Sequence, residues 1–266
     1  MSILDRFTVT DQVAVVTGAG RGIGAATALA LAEAGADVVI SSRTAAQLEQ
    51  VAERVRAAGR RALVVPADLS DADAVAGLAQ AAYDELGRLD TVVNNVGGTI
   101  PNAFLDTDVA YLEEAFHFNV STAHALSRAA VPLMLKGPDD APKSIVTISS
   151  MMGRASGRGF LAYGTAKAAL AHWSRLAAAD LAPRIRVNGI FVGSVMTSAL
   201  ELVAGVPEMW QQLESRTPLG RVGEAEDVAA AVLYLSSRAG QYVTGKMLEV
   251  DGGIQEPNLD LGLPDL

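Results

Sequence analysis

Apolar and polar positions alternate along this chain in blocks rather than residue by residue. Short apolar runs at 13–16, 37–41, 63–65, 91–94, 145–149, 185–191 and 247–250 are rich in Val and Ile. Unbroken runs of β-branched residues predict strands buried on both faces. Ala- and Leu-rich stretches of helical period lie between them. One covers 25–34 and stops at Gly35. A second opens at Thr44-Ala45-Ala46-Gln47, a capping box in sequence, and stops at Gly59. A third is capped by Ser70 and ends at Gly87. A fourth spans 108–135, with Pro132 as a point of kinking. A fifth covers 163–181, closed by Pro183, and a sixth covers 226–235. This alternation predicts an α/β fold over 1–266: one doubly wound domain, a seven-stranded parallel sheet with helices on both faces.

Ligands of such sheets sit outside the carboxyl ends of the strands, and glycine and polar residues gather there. Thr17-Gly18-Ala19-Gly20-Arg21-Gly22-Ile23-Gly24 follows the first strand and opens the first helix. Its glycines let the backbone turn sharply against a pyrophosphate, and the helix N-terminus offers free N–H groups. Ser42-Arg43, Asp68-Leu69, residues 94–97, Ser149-Ser150 and Val192-Gly193 follow the next strands. In a dinucleotide site, a carboxylate ending the second strand holds the ribose of NAD and repels a 2′-phosphate, whereas a guanidinium binds one. Ser42 stands in the acid's place, Arg43 follows it, and Arg21 adds a second positive charge. The expected cofactor is NADP, with NAD as the alternative. Asp68 either accepts a hydrogen bond from the adenine or shapes a turn.

Tyr163-Gly164-Thr165-Ala166-Lys167 sets a phenol and an ammonium four residues apart on one helix face. A free Tyr titrates near about 10, and a neighbouring cation lowers that by about 1–3 units. Such a Tyr gives a proton to a carbonyl oxygen or takes one from an alcohol. Ser149 and Ser150 are both candidates to hydrogen-bond the same oxygen.

Composition narrows the field. Half of the 266 residues are apolar and only 5% are aromatic, which suits Ala-rich helices packed closely on a sheet. A net charge of -9 argues against a nucleic-acid partner. There is no Cys, and His117, His124 and His172 lack ligand spacing, so no disulfide and no metal are expected. The start, Met1-Ser2-Ile3-Leu4-Asp5-Arg6, has no apolar signal core, and no apolar run reaches the length of a membrane span. A soluble cytoplasmic protein is expected.

Thr17-Gly18-x-x-x-Gly22-x-Gly24, Asp68, Asn94-Asn95-Val96-Gly97, Asn119, Ser150, Tyr163-x-x-x-Lys167 and Asp251-Gly252-Gly253 occur in this order. Over nearly its whole length the chain resembles the short-chain dehydrogenase/reductase family, in particular its carbonyl and 3-oxoacyl reductase-like members. The resemblance implies a Rossmann-type domain that moves a hydride to or from a nicotinamide. It implies Tyr163 as general acid/base, Lys167 lowering its pKa and binding the nicotinamide ribose, Ser150 polarising the substrate oxygen, and Asn119 holding a relay water. The cofactor would lie on Gly18, Arg21, Gly22, Ile23, Gly24, Ser42, Arg43, Asp68, Leu69, Asn95, Gly97, Tyr163 and Lys167, with Val195 and Thr197 at the carboxamide. Val96 replaces the family's usual Ala. Val192 replaces its usual Pro, which predicts a less restrained loop.

Two segments break the alternation. Residues 194–221 are expected to form a substrate lid, apolar at Met196, Leu200, Leu202, Val203, Val206, Met209 and Trp210. The tail 255–266 is expected to dock on a neighbouring subunit or near the lid. These features point to a hydrophobic ketone or alcohol as substrate. Alternatives are an NAD-linked alcohol or hydroxysteroid dehydrogenase, a 3-oxoacyl-carrier-protein reductase (disfavoured by Ala179, where such relatives carry a basic residue) and a non-catalytic nucleotide sensor. The family's habit implies a homotetramer or homodimer, and Ala168, Ala169, Ala177 and Ala178 suggest a close-packing helix face.

Overall fold

A computed structural model describes residues 2–197, 200 and 205–263. Seven strands form one parallel sheet in the order β3-β2-β1-β4-β5-β6-β7. They are β1 (Val13–Thr17), β2 (Asp37–Ser42), β3 (Ala62–Pro66), β4 (Thr91–Asn94), β5 (Ser144–Ser150), β6 (Arg186–Val192) and β7 (Met247–Val250). The helices are α1 (Gly22–Glu33), α2 (Ala45–Ala57), α3 (Ala72–Leu86), α4 (Val109–Phe116), α5 (Thr122–Met134), α6 (Leu161–Leu181), α7 (Pro207–Ser215) and α8 (Ala225–Ser236). Successive strand residues point to opposite faces. Ala14 and Val16 pack with α1, α2 and α8, while Val13 and Val15 pack with α3, α5 and α6. Both faces are covered, which is why the strand sequences are apolar without alternation. The chain winds outward from β1 to β3, then crosses back to β4 beside β1. Connections diverge at that point and leave a crevice above the carboxyl ends of β1 and β4.

The local signals fared unevenly. The capping box at Thr44 does not form: the Thr44 side chain makes no capping hydrogen bond, and Gln47 is turned toward the glycine turn. Asp71, not Ser70, caps α3 by accepting from the Asp73 and Ala74 N–H groups at 2.9 and 3.2 Å. Pro132 lies within α5 without ending it. The irregularity comes earlier, as a π-helical turn at His117–Ser121 between α4 and α5. The four Ala residues of α6 do not share a face: Ala178 is buried in the protein's own core and Ala168 is exposed. The break after β6 contains α7, which begins at Pro207 within the stretch read as a lid, whereas Leu202 and Val203 lie outside the described residues. Among the described residues no helix is long and apolar enough to cross a membrane.

Candidate active site

The turn after β1 is built so closely that side chains do not fit. Gly18 and Gly22 have φ of 66° and 55°, the left-handed region that favours glycine. A Cβ on Gly24 would stand 2.3 Å from the Gly18 carbonyl oxygen. The end of β4 braces this turn. Asn95 Nδ2 donates to the Thr17 and Gly18 carbonyls at 2.9 and 3.3 Å, and the Asn95 and Val96 N–H groups donate to Thr17 Oγ1 at 3.0 and 3.2 Å. Arg21, the residue before α1, puts no side-chain cap on the helix, so its first N–H groups remain available to an anion.

Around this turn opens a cleft of about 900 Å³. Every sequence-predicted cofactor residue lines it except Gly24, which packs beneath the turn. At one end, Ser42 Oγ is buried and has no hydrogen-bond partner. It lies 2.7 Å from where a Cβ of Gly20 would stand. Arg43 is exposed beside it. Asp68 Oδ1 accepts from the Ser70 N–H and hydroxyl at 3.0 and 2.9 Å. Those bonds, with the Arg43 charge adding to them, hold its carboxyl below the usual range. Sequence reasoning missed Gln47, Glu114, His117 and Phe118, which also line the cleft. His117 Nε2 lies 2.8 Å from the Ser70 carbonyl oxygen. Helical period brings Gln47 onto the cleft side of α2, but no local signal brings α4 there. A glycine cradle, an open helix end and an orphaned buried hydroxyl together fit a dinucleotide.

At the other end the strand register separates the two serines. Both border the cleft, but the Ser149 hydroxyl is engaged, donating to the Lys167 carbonyl at 2.9 Å. Ser150 faces the cleft, accepts from the Met152 N–H at 3.2 Å and hydrogen-bonds the Tyr163 phenol. One turn further along α6, Lys167 Nζ donates to the Ile148 carbonyl at 2.9 Å and sits 5.7 Å from the centre of the Tyr163 ring. Burial pushes the Lys167 ammonium down to about 8. Burial also pushes the Tyr163 phenol up, outweighing the Ser150 hydrogen bond. In the free protein, desolvation sets the direction for Tyr163, and the Lys167 ammonium is held by a backbone carbonyl.

Asn119 sits one layer behind the cleft surface, in the π turn. Its Nδ2 donates to the Ala115 carbonyl at 2.8 Å, which a regular α-helix would reserve for the Asn119 backbone N–H. Its Oδ1 accepts from the Gly98 N–H at 2.9 Å. A Cβ on Gly97 would stand 2.5 Å from Asn119 Oδ1 and 2.6 Å from Lys167 Nζ, so Gly97 is the window through which both reach the cleft. A neutral phenol beside a hydroxyl, with an ammonium behind it, is equipped to hold an oxygen atom and exchange a proton with it.

The loop after β6 forms the opposite wall. The Thr197 methyl lies 3.4 Å from where a Cβ of Gly22 would stand. Although Val192 replaces the family's Pro, the loop is tied down by backbone bonds from Gly223 N–H to the Ser194 carbonyl at 2.9 Å and from Met196 N–H to the Gly223 carbonyl at 2.8 Å.

Comparison with known proteins agrees with this geometry. Residues 18–255 match a family model described as enoyl-(acyl carrier protein) reductase. An uncharacterized oxidoreductase of Mycobacterium tuberculosis is 59% identical over 264 residues, 99% of this chain and 100% of that one. A structure of 7α-hydroxysteroid dehydrogenase complexed with NADH and 7-oxo glycochenodeoxycholic acid superposes with a TM-score of 0.90 at 36% identity, covering 97% of this chain and 100% of that one. The Pseudomonas aeruginosa RhlG/NADP active-site complex superposes with a TM-score of 0.88 at 34% identity, covering 94% and 98%. With the parallel sheet, the glycine turn and the Ser150, Tyr163 and Lys167 cluster in place, the chain belongs to the short-chain dehydrogenase/reductase family and is an oxidoreductase acting between CH–OH and C=O.

Proposed function

We propose that this protein is an NADPH-dependent reductase of hydrophobic ketones, able to run in reverse as an alcohol dehydrogenase. The carrying observation for the cofactor is the end of β2, where Ser42 offers a buried unpartnered hydroxyl and Arg43 a positive charge in place of a carboxylate. Gly18, Gly22, Ile23 and the start of α1 would hold the pyrophosphate. Ser42, Arg43 and Arg21 would hold the 2′-phosphate, and Asp68 and Leu69 the adenine. Asn95 and Gly97 would floor the riboses, and Val195 and Thr197 would meet the carboxamide. The reduced cofactor supplies the hydride when bound. Tyr163, kept neutral by burial, gives its proton to the carbonyl oxygen while Ser150 holds that oxygen. Lys167 and Asn119, meeting behind Gly97, orient the ribose and pass the replacement proton. Leu200 on the cleft wall and the neighbouring Met196 favour an apolar substrate.

We also propose assembly as a homotetramer. Val109, Phe116 and Leu176 leave 71%, 45% and 57% of their surface exposed on α4 and α6, an apolar surface suited to a second copy.

Fluorescence titration of the purified protein with NADPH and NADH tests the cofactor choice. NADPH is expected to bind at least tenfold tighter, about 1.4 kcal/mol, with the preference lost in Arg43→Ala. Tighter NADH would favour the second reading, an NAD-linked hydroxysteroid or alcohol dehydrogenase, which draws on the likeness to the NADH and 7-oxo bile acid complex. Binding of neither would overturn both.

A further inference from the structure

The tail has a structure that the reductase reading does not require. Pro257, Leu259, Leu261 and Leu263 are half-buried, whereas Glu256, Asp260 and Gly262 are exposed. Asn258 apart, this period of two gives the segment one apolar edge, turned toward the body of the protein. Pro257 Cγ lies 3.2 Å from where a Cβ of Gly157 would stand, and Leu263 and Leu261 Cδ1 lie 2.6 and 3.4 Å from that of Gly159. Both glycines belong to the loop between Ser150 and Tyr163. In the same loop the Phe160 ring stands 6.3 Å from the Tyr163 ring. The tail thus shores up the loop beside the phenol.

Asn258 is the buried polar residue of this segment, 5% exposed. Its Oδ1 accepts from the Ser194 hydroxyl at 3.0 Å. Its Nδ2 donates to Thr217 Oγ1 at 3.0 Å and to the Leu213 carbonyl at 3.4 Å. Ser194 is where the chain leaves the sheet after β6, and Thr217 is where it emerges from α7. One amide therefore joins the two ends of the 194–217 segment to each other and to the tail. Burying an amide is costly unless its partners are met, and a network met from three segments fixes their relative placement.

We infer that Asn258 is a positioning residue that clamps both ends of the 194–217 segment to the C-terminal tail, and that Leu261 and Leu263 continue this clamp as a wall limiting the bulk of the carbonyl compound admitted. The wall rests on the reductase reading; the clamp does not. Hydrogen exchange on the full-length protein without ligand tests the clamp. Asn258→Leu, which keeps the branching and the heavy-atom count while removing both hydrogen-bonding groups, is expected to speed exchange about tenfold at both 194–197 and 213–217, with 13–33 unchanged. Full protection at either end overturns it. Should Asn258→Leu fail to fold, Ser194→Ala removes one arm only and is expected to speed exchange at 194–197; full protection there overturns the clamp. Removal of residues 261–266 tests the wall. With NADPH, the kcat/KM ratio of bulky to small ketones is expected to rise about fivefold or more while NADPH affinity stays unchanged, and an unchanged ratio overturns the wall. A parent protein that reduces no ketone would sink the reductase reading and the wall together, and the exchange result would still decide the clamp.

Discussion

Gly24 and Gly157 face the same distance and different materials. A Cβ on Gly24 would stand 2.3 Å from the Gly18 carbonyl oxygen, and one on Gly157 would stand 2.3 Å from Met152 Cε. The first obstacle is main chain, in a turn braced by Asn95 onto the ends of β1 and β4. The second is the tip of a thioether with three rotatable bonds. Gly24 belongs to the nucleotide wall, and Gly157 to the tail-side wall that we infer for the substrate. The nucleotide wall is made of backbone: the glycine turn, the open start of α1 and the Gly97 window. The tail-side wall is made of side chains packed on the Gly157 and Gly159 loop: Met152, Pro257, Leu261 and Leu263, with the Asn258 clamp beside them. A backbone wall has one shape and suits a ligand that does not vary. A side-chain wall can be retuned residue by residue while the fold stays put, which is how one scaffold serves many substrates.

The sharpest test lies at the seam, where Tyr163 stands between the walls. Tyr163→Phe keeps the ring and removes the hydroxyl. Turnover of any carbonyl that the parent reduces is expected to fall by about 10² to 10⁴, with melting temperature and NADPH affinity close to the parent's. Steady-state kinetics and a titration check this; a variant within tenfold of the parent would move the proton donor elsewhere. Next in size is Gly24→Ala. The new methyl cannot avoid a carbonyl held in place by Asn95, so a loss of about 3 kcal/mol or more in urea unfolding is expected, together with loss of nucleotide binding. If the variant binds NADPH as tightly as the parent does, the backbone wall has slack and the contrast with Gly157 fails.

Lys167→Met probes what the seam costs the fold. Burial holds the folded Lys167 near about 8, below its unfolded value of about 10.4. The folded chain therefore binds fewer protons than the unfolded chain between those pH values, and stability from this group rises with pH across that window. Below about pH 8 the buried charge carries its full penalty, roughly 3 kcal/mol. Lys167→Met is expected to raise stability at pH 7 by about 1–3 kcal/mol, less than the full penalty because the Ile148 carbonyl loses its donor. The gain should shrink as pH rises past 8, and activity should be lost. Urea unfolding at pH 7 and pH 10 measures it; a gain independent of pH would assign the effect to packing.

The two walls also differed in how legible they were. The strands could be read because both sheet faces are covered, leaving apolar runs such as β1 unbroken. The glycine turn could be read because close backbone approach demands glycine at fixed spacing. Tyr163 and Lys167 could be paired from helical period, but their electrostatics could not, because a sequence gives the charge and not its desolvation. Ser149 and Ser150 could be told apart from sequence only through the family resemblance, which points to Ser150; β5 supplies the physical reason, since it runs through Ser150 and neighbours on a strand face opposite ways. Asn119 was expected to hold a relay water, with its depth in the site unspecified. The π turn changes the helical phase at that point and sets Asn119 behind Gly97, and nothing in the local residues announces it. Asn258 is the extreme case. Its partners are 64, 45 and 41 positions away in the chain, so no window of sequence contains the clamp.

The smallest effect is the one that isolates the difference between the walls. Gly157 carries no positive φ, so a side chain meets no backbone strain there, unlike at its neighbour Gly159 with φ of 85°. Its next obstacles, after Met152 Cε, are the Phe160 ring at 3.0 Å and Pro257 Cγ at 3.2 Å. Met152 can swing to another rotamer at a cost of about 1 kcal/mol or less, and an Ala in a loop loses less chain entropy on folding than a Gly does. The two terms oppose each other, so Gly157→Ala is expected to change unfolding free energy by less than about 1 kcal/mol and to leave NADPH affinity untouched. If the inferred tail-side wall bounds the substrate, the effect should surface there instead, as a shifted KM for bulky ketones, because the displaced Met152 and the shifted edge of Pro257 belong to it. A Gly157→Ala variant as unstable as Gly24→Ala would mean that Met152 and the tail are held as rigidly as main chain, and that the substrate wall is fixed by packing no less than the nucleotide wall is by its turn.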